Sequence, residues 1–193
     1  MKLDKNTKFI LAIALQLVII FALVITKLMI ISGGREALLE ILPVDPRDML
    51  RGDYAMFQYT VSNIDSYVPR EEGIKDGDTV YVVLSEGGKY RIATNVTTAK
   101  PAGDALFLKG KVVSGAEESK SQPQYEKDMM WQPPDVLPKM NILYGVEQYF
   151  IPEGTGASLN LWDQNREAFA QVVIDDGGNA VIKQLYVNDK PWP

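Results

Sequence analysis

The chain has 193 residues, 46% of them hydrophobic and 23% charged, with a formal net charge of −5. This balance excludes disorder over the whole length and fits one folded domain with or without an appendage. Histidine and cysteine are both absent, which removes the imidazole base, the thiolate nucleophile, disulfides, structural zinc and every His- or Cys-ligated haem or iron–sulfur centre.

The first predicted element is a membrane anchor. Residues 9–26 read FILAIALQLVIIFALVIT, with Gln16 and the closing Thr26 as the polar side chains. As a helix this run covers about 27 Å, and about 34 Å if it continues through Ile31, which brackets a hydrocarbon core of roughly 30 Å. A secretory leader has a shorter apolar region followed by a small-x-small cleavage site, and residues 27–35 (KLMIISGGR) contain no A-x-A-like site. Residues 9–31 are therefore expected to be an uncleaved transmembrane helix in contact with the lipid bilayer, with Lys27 snorkelling to the far interface. Lys2, Lys5 and Lys8 precede it with only Asp4 against them, so residues 1–8 are expected to be a cytoplasmic tail and residues 32–193 an exported domain. Without the four lysines and one aspartate of residues 1–31, the remainder is more acidic than the whole chain, which speaks against a nucleic-acid partner.

Beyond the anchor the pattern alternates and turn residues become frequent, so the exported part reads as β. A strand over 37–44 is expected to rise directly from the membrane. Residues 55–61 (AMFQYTV) put Ala55, Phe57, Tyr59 and Val61 on one side and Met56, Gln58 and Thr60 on the other, the period of a half-buried strand. Residues 79–84 and 90–98 flank Ser-Glu-Gly-Gly-Lys and form a hairpin. A strand follows over 105–113. Residues 172–174 and 180–187 flank Asp-Asp-Gly-Gly-Asn and form a second hairpin, whose glycines permit positive φ. One short helix is expected near 158–166. The predicted fold is mainly β, a compact antiparallel sandwich or barrel behind a single N-terminal transmembrane helix. Residues 114–138 make a proline-rich loop in which Met129, Met130 and Trp131 form a candidate partner surface.

Arg47–Tyr59 reads RDMLRGDYAMFQY, and its last eight residues, from Gly52 to Tyr59, resemble the signature of the bacterial GDYXXLXY proteins, with Phe57 in the slot usually held by Leu. Pro43–Asp48 (PVDPRD) and Tyr144–Gly156 (YGVEQYFIPEGTG) resemble two further recurrent blocks of that family. The resemblance implies a membrane-anchored protein, encoded beside multi-pass membrane proteins, and it brings no catalytic residues with it. Read physically, Asp45, Asp48 and Asp53 are placed to accept from turn amides and to pair with Arg47 or Arg51, while Gly52 turns the corner into the strand carrying Tyr54, Phe57 and Tyr59. The other block offers Tyr144, Gly145, Glu147, Tyr149, Phe150, Pro152, Glu153 and Gly154, which read as a buried strand and a rigid turn.

Catalysis is not expected. A Gly-Asp ahead of an apolar strand just outside a membrane span also resembles type I signal peptidases, but the position of their serine is Val44 here, which leaves no nucleophile. Asp45, Asp48, Asp53, Glu147 and Glu153 offer oxygen ligands, but the calcium-loop spacing is missing and arginines intervene. No metal or cofactor is expected. The sequence thus points to an extracytoplasmic accessory or recognition module acting with an integral membrane partner. The competing reading is an exported carboxylate-based hydrolase or carbohydrate-binding domain, which requires a concave pocket holding two acids and an aromatic wall.

Overall fold

A computed structural model describes residues 4–42, 54–116, 139–150 and 167–192. Helix α1 (Lys5–Gly33) contains the expected span and extends four residues before it and two after it. By length and composition it suffices to cross a membrane. Every residue of it is exposed except Ile30, in the last turn, which is half-buried. Gly34 closes the helix by donating its N–H to the Ile30 carbonyl at 2.9 Å, and strand β1 (Arg35–Leu42) begins at the next residue. The predicted strand therefore starts two residues early. Its alternation buries Ala37, Leu39 and Ile41.

The rest is antiparallel β, as expected. The strands are β2 (Tyr54–Met56), β3 (Gln58–Tyr59), β4 (Asn63–Ile64), β5 (Thr79–Gly87), β6 (Tyr90–Thr97), β7 (Leu106–Ser114), β8 (Met140–Leu143), β9 (Gln148–Phe150), β10 (Ala168–Ile174), β11 (Ala180–Val187) and β12 (Lys190–Trp192). One sheet runs β12-β11-β10-β1-β3 and a second runs β4-β8-β7-β5-β6, while β2 and β9 form a separate pair. The two large sheets are joined by a 3-10 turn, Thr60–Ser62, between β3 and β4. At the other side β6 lies beside β1 with no ladder between them among the described residues. The walls thus curl toward a barrel with one unzipped seam.

The strand expected over 55–61 is broken in two and ends in that 3-10 turn. The break falls at Phe57, whose N–H bonds to the Glu147 carbonyl at 2.7 Å. The predicted inward side survives nonetheless: Phe57, Tyr59 and Val61 are buried while Gln58 and Thr60 are exposed. Both hairpins form. The first is tighter than expected, because β5 continues to Gly87 and leaves only Gly88 and Lys89 as the turn, with Gly88 at φ +90°. In the second, Gly178 adopts φ +80°, and the Asp175 carboxylate accepts from the amides of Gly177 and Asn179 at 2.8 Å each. The short helix expected at 158–166, the proline-rich loop over 117–138 and Val44 lie outside the described residues.

The core is filled from both sheets, by Leu39, Ala170, Val172, Ile174 and Leu185 on one side and Val80, Val82, Leu108, Met140 and Ile142 on the other. Strand β10 is buried on both faces. Ala168, Ala170, Val172 and Ile174 point into the core. On the opposite face Phe169 lies under the β5–β6 turn, and the end of α1 packs over Val173. Such two-sided burial accounts for the nearly continuous apolar run AFAQVVI.

Candidate functional site

The two signature blocks meet. Strand β2 pairs with β9 so that Tyr54 faces Phe150, Ala55 faces Tyr149 and Met56 faces Gln148. A reciprocal clasp of two tyrosines follows. Tyr59, from the first block, donates its hydroxyl to the Val146 carbonyl at 2.6 Å, and Tyr144, from the second, donates to the Val61 carbonyl. Tyr59 is 0% exposed, so its hydroxyl and the carbonyl it meets satisfy each other away from water. Gly145, at φ +80°, turns the chain between β8 and β9. Nothing stands within 4 Å of where its Cβ would be, so glycine is demanded there by backbone conformation and not by space. The Glu147 carboxylate accepts from the amides of Tyr144 and Gly145 and holds that turn closed. Tyr149 is half-buried against the core.

Burial raises the Tyr59 and Tyr144 hydroxyls well above the ordinary tyrosine value of 10, with a smaller contribution from the Glu147 charge. Both hydroxyls therefore stay protonated at neutral pH. A group whose folded pKa is raised stabilises the fold fully below its unfolded value and ceases to do so as pH rises. We therefore expect alkaline unfolding to begin above about pH 10, with Tyr59 and Tyr144 ionising only as the fold opens. Absorbance titration with melting curves checks this, and a stepwise ionisation that leaves the fold intact would refute it.

The sequence-predicted residues Asp45, Arg47, Asp48, Arg51, Gly52, Asp53, Pro152, Glu153 and Gly154 lie outside the described residues, as do Met129, Met130 and Trp131. For Tyr54 and Phe150 the described feature is their place in the β2–β9 ladder. Phe57, in the signature slot usually held by Leu, is 4% exposed and belongs to the core. Among the described residues, no three carboxylates gather closely enough to hold a metal ion.

A second arrangement, which sequence reasoning missed, occupies the outer face of the β12–β3 sheet. Lys89, at the tip of the β5–β6 turn, reaches Glu167 at 2.9 Å and Asp189 at 2.6 Å. Its ammonium stands 4.5 Å from the Phe169 ring centre, a cation–π distance. Phe169 stacks on Tyr186 at 4.9 Å and tilts against Tyr90 at 5.5 Å, and Tyr90 donates to Glu167. Beside this cluster an open groove of about 400 Å³ is lined by Glu36, Glu86, Lys89, Tyr90, Arg91 and Gln171, among others. Two acids and a tyrosine wall were the pattern required of a hydrolase or sugar site. Both acids, however, are engaged: Glu36 with Lys183 and Gln171, and Glu86 with Arg91 at 3.3 Å.

The electrostatics of this face are those of a brace. Hydrogen bonding to Lys183, then to Gln171, lowers the Glu36 pKa below its ordinary 4.5, and Tyr90, then Lys89, do the same for Glu167. Asp189 and Glu167 raise the Lys89 pKa, and burial together with Glu167 pushes the Tyr90 hydroxyl up to about 12. Glu36, Glu167, Lys89 and Tyr90 are each held in their ordinary neutral-pH charge state. Carboxylates of lowered pKa stabilise the fold above their unfolded value and cease to do so as pH falls through the folded one. Melting temperature is therefore expected to fall on acidification below about pH 4.5, and to fall less steeply in a Glu36→Gln, Glu167→Gln double variant. Equal slopes in the two proteins would refute the assignment.

What these features define is an antiparallel β protein behind one long apolar N-terminal helix, stapled where its two signature blocks cross. Residues 16–185 match the family described as GDYXXLXY protein, and the chain belongs to that family. Neither a curated protein nor a solved structure matches it.

Proposed function

We propose that the chain is a single-pass protein of the bacterial cytoplasmic membrane, with residues 1–8 inside and the β-rich part, residues 32–193, outside. There it acts as an accessory or recognition module for an integral membrane protein. One observation carries this reading. Helix α1 packs on the sheets only at its last turn, and a single residue separates it from β1. A helix whose span is apolar but for Gln16, Thr26 and Lys27, and which is almost wholly unburied, needs another solvent, and a bilayer supplies it. The excess of lysine before the span supports the orientation. The engaged acids and high-pKa tyrosines support recognition over catalysis.

The reading is tested by topology and recovery together. Protease added to intact spheroplasts is expected to remove a tag fused behind Pro193 and to spare one fused ahead of Met1. Gentle solubilisation is expected to recover a multi-pass membrane protein with the full chain. A shielded C-terminal tag or a chain free of lipid after lysis would overturn the proposal. Deleting residues 122–134 is expected to reduce that recovery without lowering stability, through loss of Met129, Met130 and Trp131.

The groove of Glu36, Glu86 and Tyr90 favours one second reading, that of a carbohydrate-binding domain. It predicts a calorimetric signal with cell-envelope oligosaccharides that Tyr90→Ala abolishes.

A further inference from the structure

The face of α1 that ends beneath the sheets is also the face that carries Gln16 and Lys27. At about 100° per residue, Lys27 projects within about 20° of Gln16 and Ile30 within about 40° of it, while Gly34 lies a whole five turns beyond Gln16. Ile30 is the half-buried helix residue, where α1 meets β10 and β11. Its neighbour Met29, on the other side, is 68% exposed. One stripe through Ala12, Gln16, Leu23 and Lys27 therefore runs down to the contact with the β domain, and the opposite stripe of Ala14, Val18, Phe21 and Ile25 is wholly aliphatic, aromatic or small.

Neither polar group is satisfied from within. Among the described residues Lys27 makes no ion pair, and Gln16 makes no side-chain hydrogen bond. An ammonium near the edge of the hydrocarbon and an amide at its middle both gain from a protein neighbour. A second copy of this chain is a poor neighbour, because a parallel pair packed through this stripe sets Lys27 against Lys27 at one depth.

We propose that this stripe is a docking seam for one transmembrane helix of the integral membrane partner, and that the helix carries a carboxylate opposite Lys27. This rests on the accessory reading above and adds the chemistry of the partner. The seam also fixes a spacing. Gln16 and Lys27 are about 16 Å apart along the helix, so the partner presents a small or hydrogen-bonding residue at mid-membrane and its acid about three turns nearer the exported end. Because the same stripe runs under β10 and β11, the partner helix emerges beneath the β domain and its exported loop meets that domain first.

The cysteine-free chain makes the test clean. Full-length Leu23→Cys and Ile25→Cys variants, each carrying a photo-reactive maleimide, are irradiated in native membranes and the adducts are sequenced. The seam predicts that Leu23→Cys joins a helix of a multi-pass protein with Asp or Glu near its exported end, at a yield at least tenfold above Ile25→Cys. Adding Lys27→Leu is expected to remove that adduct, and Lys27→Glu is expected to restore it when the partner acid is changed to Lys. Unchanged tryptophan fluorescence and melting temperature show that these variants still fold. Equal labelling from both faces, an adduct with a second copy, or an adduct insensitive to Lys27→Leu overturns the seam while leaving the accessory reading standing if the wild-type chain still recovers its partner. If the wild-type chain recovers no integral membrane protein, both fall.

Discussion

Replacing Tyr59 with alanine is expected to destabilise the protein by about 3–5 kcal/mol, the range for deleting a fully buried aromatic side chain. Tyr59 is 0% exposed and its hydroxyl occupies the carbonyl of Val146. Tyr59→Phe separates the two contributions. The ring still packs, but the buried carbonyl loses its donor, at a cost of about 1–3 kcal/mol. The same holds for Tyr144→Phe and the Val61 carbonyl. Since the two bonds tie the same pair of segments, their effects are expected to be non-additive, with a coupling of about 0.5–3 kcal/mol. Denaturant melts of the four-member cycle, followed by tryptophan fluorescence in detergent, measure this. Melting curves of Tyr59→Phe and Tyr144→Phe that coincide with wild type would remove the clasp as the reason for the terminal tyrosine of the signature.

A side chain at Gly34 is expected to pry α1 from the sheet. A Cβ there would stand 2.6 Å from Val173 Cγ1 and 2.7 Å from the carbonyl oxygens of Ile174 and Ile30. Two of those three atoms are backbone, so no rotamer change relieves the clash. Gly34 has φ −81°, so the cost is steric and not conformational. Overpacking of this kind costs about 1–3 kcal/mol, more for Gly34→Val than for Gly34→Ala, and new protease sensitivity is expected between residues 32 and 36. Gly33 supplies the control. Nothing lies within 4 Å of its Cβ position, so Gly33→Ala is expected to be neutral or stabilising by up to about 1 kcal/mol. Equal behaviour of the two alanine variants would show that the joint is loose.

The long apolar helix, both hairpins and the inward side of the Phe57–Val61 segment were legible because each is a local pattern: apolarity over a long run, turn glycines, period two. The break at Phe57 was not legible, since it arises from a hydrogen bond to Glu147, ninety positions away. Long-range pairing also hid the outer face. Lys89 read as one residue of a Ser-Glu-Gly-Gly-Lys turn, and Asp189 fell beyond the last predicted strand, yet the two sit in one ion pair. The left-handed backbone of Asn188 and Asp189, at φ 50° and 61°, was foreshadowed by their residue types, but its target was not. For the signature itself, the sequence suggested an acid–arginine corner. That corner lies outside the described residues; in the described part of the block, Tyr59 reaches across to the other block and Phe57, two positions before it, fills the core.

The lone glycine between α1 and β1 sets how far the β sheets travel. A flexible leash of ten residues would let them roam over roughly 17 Å; one residue spans less than about 4 Å. Whatever holds the helix steers the strands with it, tilt for tilt and turn for turn. If that holder is a bilayer, encounters are confined to neighbours diffusing in the same plane, and rotating the helix about its own axis swings the Lys89 face like a compass needle.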